Sequence, residues 1–296
     1  MSTTVLLVNF GGPRTLDEVS LFLRNMTGRP MPRDVEEAVS ERYRAIGGGS
    51  PLAAITEEQA ALLTDETGGT FVIKSAFRYT SPSLEERINE CYRAGIERIA
   101  FLVMSPYYAS RTTGVYRTAA ENYLAALPYS PEVVFIHSWH DEPRFIDCWV
   151  ERIRSADPPE KAFYIFSAHS LPESLSGEPY RRQVEETSHS VAQRLGLQGR
   201  YAVAWQSVPQ NADVPWMGPS VEATMDSFAG KVSSLVEVPI GFVSDHLETL
   251  YDMDIVHRQH ALSRGLGFSR IPSLNTYPPF IHALKAVVER HLEAGR

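Results

Sequence analysis

The sequence predicts an α/β protein made of two doubly wound parallel sheets that face each other. Three observations carry that expectation. Short β-branched or aromatic runs alternate with longer amphipathic stretches along the chain. The alternation restarts after Asp157-Pro158-Pro159, and 296 residues suffice for two domains of roughly 150 residues. The boundary is expected near residue 140, giving domains 1–140 and 141–296, the second with a closing C-terminal helix.

The elements follow in order. Val5–Phe10 reads as a buried strand and ends on Gly11-Gly12-Pro13. Asp17–Asn25, Arg33–Ile46 and Ala53–Glu66 read as helices, the second stopped by Gly47-Gly48-Gly49. Strands Phe71–Phe77, Arg98–Met104 and Val133–His137 then alternate with helices Ser83–Ala94, Gly114–Ala126 and Phe145–Ala156. In the second half, strands are expected at Ala162–Ser167, Tyr201–Gln206 and Val232–Val238. Helices are expected at Tyr180–Leu195, Val221–Ala229, Asp245–Leu262 and Tyr277–Glu293.

Composition narrows the function. The chain is 43% apolar and 22% charged, which suits a folded globular protein rather than a disordered one. No run approaches ~18 uncharged apolar residues, so no integral membrane segment is expected. The opening Met1–Val8 lacks the basic start and length of a secretory signal. Two cysteines, Cys91 and Cys148, cannot build a disulfide framework or an all-cysteine iron–sulfur cluster, so a cytoplasmic location is expected. A net charge of −8 argues against nucleic acid as a partner, and any anion pocket must be built locally.

Ligands of doubly wound sheets lie beyond the carboxyl ends of the strands, so post-strand segments are where chemistry belongs. Four stand out. Phe10-Gly11-Gly12-Pro13 lets backbone approach a flat or anionic ligand, or is simply a tight turn. Ser105–Gly114 gathers tyrosines, hydroxyls and Arg111 before a helix, as an anion seat or a capped turn. His169, in Ser167-Ala168-His169-Ser170, follows a strand and could ligate a metal or accept a proton, or be a satisfied core histidine. Asp245, Glu248 and Asp252 are spaced i, i+3, i+7. On a helix they would share one face as a path for a cation, although Ser244 and Asp245 also read as a cap and first-turn acid.

Together the stretches VNFGGPRTL, ERYRAIGGGSPL, FRYTSPSLEE, SWHDEPRF, FSAHSLPE, AVAWQSV, PWMGPS and VPIGFVSDHLETLYDMD resemble the ferrochelatase family over nearly the whole chain. That resemblance implies two Rossmann-like domains around a central cleft, a chelatase-like fold. It also implies insertion of Fe(II) into a porphyrin in haem biosynthesis. The family's catalytic pair falls on His169 and Glu248, which the resemblance makes iron ligands and proton acceptors. An imidazole and a carboxylate suit the task. Fe(II) must be held weakly enough to be handed on, and the free-base ring must lose two pyrrole protons to a base on one face.

SWHDEPRFIDCWVERI, AVAWQSV and VPIGFVSDHLE look most like the Gram-positive-type enzymes that use coproporphyrin III, and the lack of a C-terminal cysteine-bearing extension agrees. The porphyrin-binding residues would then be Phe10, Arg24, Arg42, Tyr43, Ser50 and Tyr116, with Ser110 to Thr113 nearby. Asp245 and Asp252 would form a secondary acidic row. Two positions depart from that pattern. Phe10 stands where those enzymes place an axial tyrosine, and Val256 where related enzymes place a glutamate. The expected substrates are a porphyrin and Fe(II), acted on by a monomer with no permanently bound cofactor. The alternatives are a protoporphyrin IX ferrochelatase, a cobalt or nickel chelatase for a sirohydrochlorin, and a non-catalytic tetrapyrrole or haem carrier.

Overall fold

A computed structural model describes residues 2–208 and 213–293. The first sheet contains β1 (Thr3–Asn9), β2 (Val72–Phe77), β3 (Arg98–Val103) and β4 (Glu132–Ile136), all parallel, in the order β2-β1-β3-β4. The second contains β5 (Phe163–His169), β6 (Tyr201–Gln206), β7 (Ser234–Val238) and β8 (Gly267–Arg270), parallel in the order β6-β5-β7-β8. The two sheets therefore repeat one topology. The chain steps to one side of its first strand, then crosses back to the other, leaving a switch point beside β1 and another beside β5.

The helices are α1 (Val19–Thr27), α2 (Arg33–Ala45), α3 (Leu52–Glu66), α4 (Leu84–Arg93), α5 (Thr113–Ala125), α6 (Pro143–Ser155), α7 (Pro179–Leu195), α8 (Val221–Phe228), α9 (Arg258–Ser263) and α10 (Pro278–Glu293). Local chemistry sets their ends. Ser83 and Glu86 form a reciprocal capping box at α4, with Glu86 N–H donating to Ser83 Oγ at 3.1 Å and Ser83 N–H to Glu86 Oε2 at 2.6 Å. Pro143 and Pro179 open α6 and α7, where a missing N–H costs nothing. Gly196 closes α7 in the left-handed region at φ 69°.

The central strands are buried on both faces. Val5 and Leu7 of β1 face one apolar cluster, while Leu6 and Val8 face another. The first cluster is continuous between the sheets: it joins Leu102 of β3, Leu63 of α3, Trp149 of α6, Phe166 of β5 and Leu284 of α10. The expected boundary at 140/141 falls between β4 and α6. The closing helix packs on both α6 and α3, so it lies against the first sheet's helix as well as its own half.

Two segments differ from expectation. β8 is a four-residue strand that the sequence pattern does not mark. The helix expected over 245–262 is split. Residues Glu248–His257 wind as a π-helix, followed by α9, and Ser244 and Asp245 precede the helix instead of opening it. Among the described residues, no helix is long and apolar enough to cross a membrane.

Candidate active site

His169 is the last residue of β5, and Glu248 the first of the π-helix that follows β7, so both stand at the second sheet's switch point. His169 Nε2 and Glu248 Oε1 are 3.8 Å apart, and the side chains are 36% and 28% exposed. The imidazole is oriented from behind. Its Nδ1 faces the Ser170 carbonyl, which can only accept, so Nδ1 carries a proton and Nε2 is the nitrogen turned toward Glu248. The turn beneath is rigid: Tyr180 Oη donates to the His169 carbonyl at 2.9 Å, and Ser170 N–H to the Gln206 carbonyl at 2.8 Å.

Glu248 is fixed by its other oxygen. Gln206 Nε2 donates to Oε2 at 3.2 Å, and His246 Nε2 lies 4.0 Å from it. Burial lowers the pKa of His246, against the pull of Glu248 and Asp245. Burial, with Glu248 nearby, raises the Tyr43 and Tyr180 phenols above the ordinary range. Asp252, one turn along the π-helix, is pushed up to about 6 by burial and by the Glu248 charge.

The loop carrying Glu248 is tied to both halves of the molecule. Gly241 N–H donates to the Ser167 carbonyl at 3.0 Å. A Cβ on Gly241 would lie 2.7 Å from the Ala168 backbone, so only glycine permits this approach. Tyr107 Oη donates to the Ile240 carbonyl at 2.9 Å, and Gln59 Nε2 to Ser244 Oγ at 3.0 Å and the Asn275 carbonyl at 2.8 Å. The carboxyl-end loops of the two sheets thus meet around the pair.

Asp245 is not part of an acidic row. Asn275 Nδ2 donates to Oδ2 at 2.7 Å, Ser273 Oγ to Oδ1 at 2.7 Å, and Arg270 Nη1 to Oδ1 at 3.1 Å. Burial alone would raise its pKa, but Arg270 and these hydrogen bonds hold it below the ordinary carboxylate value. The helix-face spacing fails because the helix begins three residues later. Arg270 also grips Asp254 with both arms, Nε to Oδ1 at 2.7 Å and Nη2 to Oδ2 at 2.8 Å, and so clamps the π-helix. Glu248 and Asp252 remain on one face of the wider π-winding, and Val256 continues the line without a donor.

The six residues expected around a porphyrin divide into two groups. Phe10 is 39% exposed, edge-on to Tyr79 and Phe22, and Arg24 and Arg42 are exposed. The Arg42 guanidinium also lies 5.6 Å over the Tyr251 ring, linking α2 to the π-helix. By contrast, Tyr43, Ser50 and Tyr116 are buried. Tyr43 packs with Val19, Phe22 and Leu23, and Tyr116 lies in the core beneath the first sheet. Their free surface for a carboxylate is small. Ser110 already holds a carboxylate: its N–H and hydroxyl both donate to Glu178. A depression of about 470 Å³ between α3, α6 and α10 lies elsewhere, and in it Glu66 faces Lys285 at 3.6 Å and His282 at 3.5 Å.

Comparison with known proteins matches residues 2–292 to the family model for ferrochelatase. The chain belongs to the ferrochelatase family. It is 36% identical over 308 residues to the coproporphyrin III ferrochelatase of Geobacillus kaustophilus, covering 98% of this chain and 96% of that one. It is 34% identical over 304 residues to the coproporphyrin III ferrochelatase of Anoxybacillus flavithermus, covering 97% and 96%. Among solved structures, SirB from Bacillus subtilis with Fe3+ aligns at a TM-score of 0.65 with 12% identity, covering 100% of this chain and 98% of that one, which speaks to the fold.

Gln206, His246, Arg270 and Gly241 carry site geometry that sequence reasoning gave no role. Gln206 had one usable signal, its position at a strand end beside His169.

Proposed function

We propose that this protein is a ferrochelatase that inserts Fe(II) into coproporphyrin III, giving coprohaem and releasing two protons. One observation carries the reading: His169 and Glu248 present an imidazole nitrogen and a carboxylate oxygen 3.8 Å apart at a partly open switch point. Two such donors leave most coordination positions of Fe(II) for the four macrocycle nitrogens, so the protein can release the metal to the ring. His169 Nε2 and the Glu248 carboxylate hold the incoming cation against one face of the ring and accept the two pyrrole protons as the metal passes from them to the four nitrogens, then release them to solvent. Arg24 and Arg42 supply cationic contacts for propionates on a chain of net charge −8. The near-full-length relatives named for coproporphyrin III support the choice of ring.

A second ring is favoured by one feature. Of the six expected porphyrin contacts, the two exposed cations are Arg24 and Arg42, which would match the two propionates of protoporphyrin IX. Anaerobic steady-state insertion with each porphyrin separates the two. The proposal expects the higher kcat/KM with coproporphyrin III, and a preference for protoporphyrin IX overturns that choice. The same reading has the protein act as a cytoplasmic monomer with neither a permanent cofactor nor an iron–sulfur cluster. Its two cysteines, Cys91 and Cys148, are buried and free.

A further inference from the structure

Gln206 ends β6 directly beside His169 in the parallel register and is 1% exposed. Its amide is split between a bond and a deficit. Nε2 donates to Glu248 Oε2 at 3.2 Å, whereas Oε1 is buried with no hydrogen-bond partner among the described residues. Only this orientation is chemically allowed beside an ionised Glu248, because the turned amide would set a carbonyl oxygen against a carboxylate. A buried unpaired acceptor costs free energy that an apolar side chain of similar shape would avoid. The side chain is therefore poorly suited to packing and well suited to putting a donor on Glu248.

We propose that Gln206 is a positioning residue for metal insertion. It holds Oε2 of Glu248 so that Oε1 faces His169 Nε2 and stays free for the cation. This rests on the metal-insertion reading above. Without the amide donor, Oε2 of Glu248 loses the hydrogen bond that fixes it, and the carboxylate can rotate away from His169. Among the described residues Gln206 has no hydrogen bond to Arg24 or Arg42, so porphyrin affinity is expected to be independent of it.

The test uses Gln206→Leu, which removes both the donor and the orphaned acceptor, and Gln206→Glu, which keeps the shape but replaces the donor. Both are expected to lower kcat for Fe(II) insertion ~10–100-fold while coproporphyrin affinity, read by fluorescence quenching, changes less than ~2-fold. The thermal midpoint of Gln206→Leu is expected to equal or exceed that of the native protein, which a purely structural glutamine would not allow. A Leu variant with kcat within ~2-fold of native overturns the proposal, as does a loss of activity that merely follows a lowered midpoint. If the native chain inserts no iron, the metal-insertion reading fails. Positioning is then judged by Co(II) titration of the native and Leu proteins, where equal affinity overturns it and ~10-fold weaker binding by the variant sustains it.

Discussion

Replacing Arg270 by Leu should loosen the π-helix that carries Glu248. Arg270 is 10% exposed and joins Asp245, at 16%, to Asp254, at 38%. Breaking the buried contact with Asp245 by removing one partner costs ~3 kcal/mol. The more exposed contact with Asp254 adds at most ~1 kcal/mol. Asn275 and Ser273 still hold Asp245, which caps the loss. The expected destabilisation is thus ~3–4 kcal/mol, or roughly 10 °C in Tm for a chain of this size. Urea denaturation should show a lower midpoint with an unchanged m-value. In a double-mutant cycle, Asp245→Asn should cost ~1–2 kcal/mol less in the Arg270→Leu background than alone. Porphyrin affinity should persist while insertion slows. A shift below ~0.5 kcal/mol, or additive single and double variants, would refute the clamp.

Other consequences follow from named contacts. Gly241→Ala puts a methyl group 2.7 Å from the Ala168 backbone, so the loop must shift, and kcat is expected to fall while the first sheet's stability is retained. Amide exchange localised to residues 239–250 would check this, and native activity would count against it. Asp252, raised to about 6 by burial and Glu248, holds its proton more tightly folded than unfolded, so stability falls as pH rises through about 6. Asp252→Asn should therefore gain up to ~3 kcal/mol at pH 7 and nothing below pH ~4, measured by urea denaturation at both. His257 Nδ1 lies 3.0 Å from Glu237 in the core. Burial opposes the charged imidazole, but Glu237, joined by Glu222 and Asp252, keeps the pKa raised. The pair's stabilisation is fully present below the ordinary histidine pKa of ~6.5 and is lost as pH rises through the raised value. Glu237→Gln should cost ~3 kcal/mol at pH 6, while Glu237→Leu with His257→Leu should come within ~1 kcal/mol of native. A double variant as unstable as the single would contradict this.

Much of the fold was readable because parallel strands buried on both faces read as continuous apolar runs, as Val5–Val8 and Phe163–Phe166 do. His169 was readable because a strand ended there. β8 was not, since Gly267-Phe268-Ser269-Arg270 has a single large apolar residue and sits at a sheet edge. Asp245 lies off the predicted helix face because the helical segment starts three residues later and winds wider than an ordinary helical period. Its true partners, Arg270 and Asn275, are non-local and leave no spacing signal. The burial of Tyr43, Ser50 and Tyr116 was equally hidden, because polar types on amphipathic segments give no sign that tertiary packing covers them. Gln206 leaves no sequence signal beyond its place at a strand end, because an uncharged amide has no titration or metal-ligand pattern.

The most direct test compares the native protein with His169→Ala in anaerobic Fe(II) insertion into coproporphyrin III, with porphyrin binding measured in parallel. The account predicts that the native protein turns over, and that the variant binds porphyrin normally but loses at least ~100-fold in kcat. A variant that inserts iron at close to the native rate would contradict it.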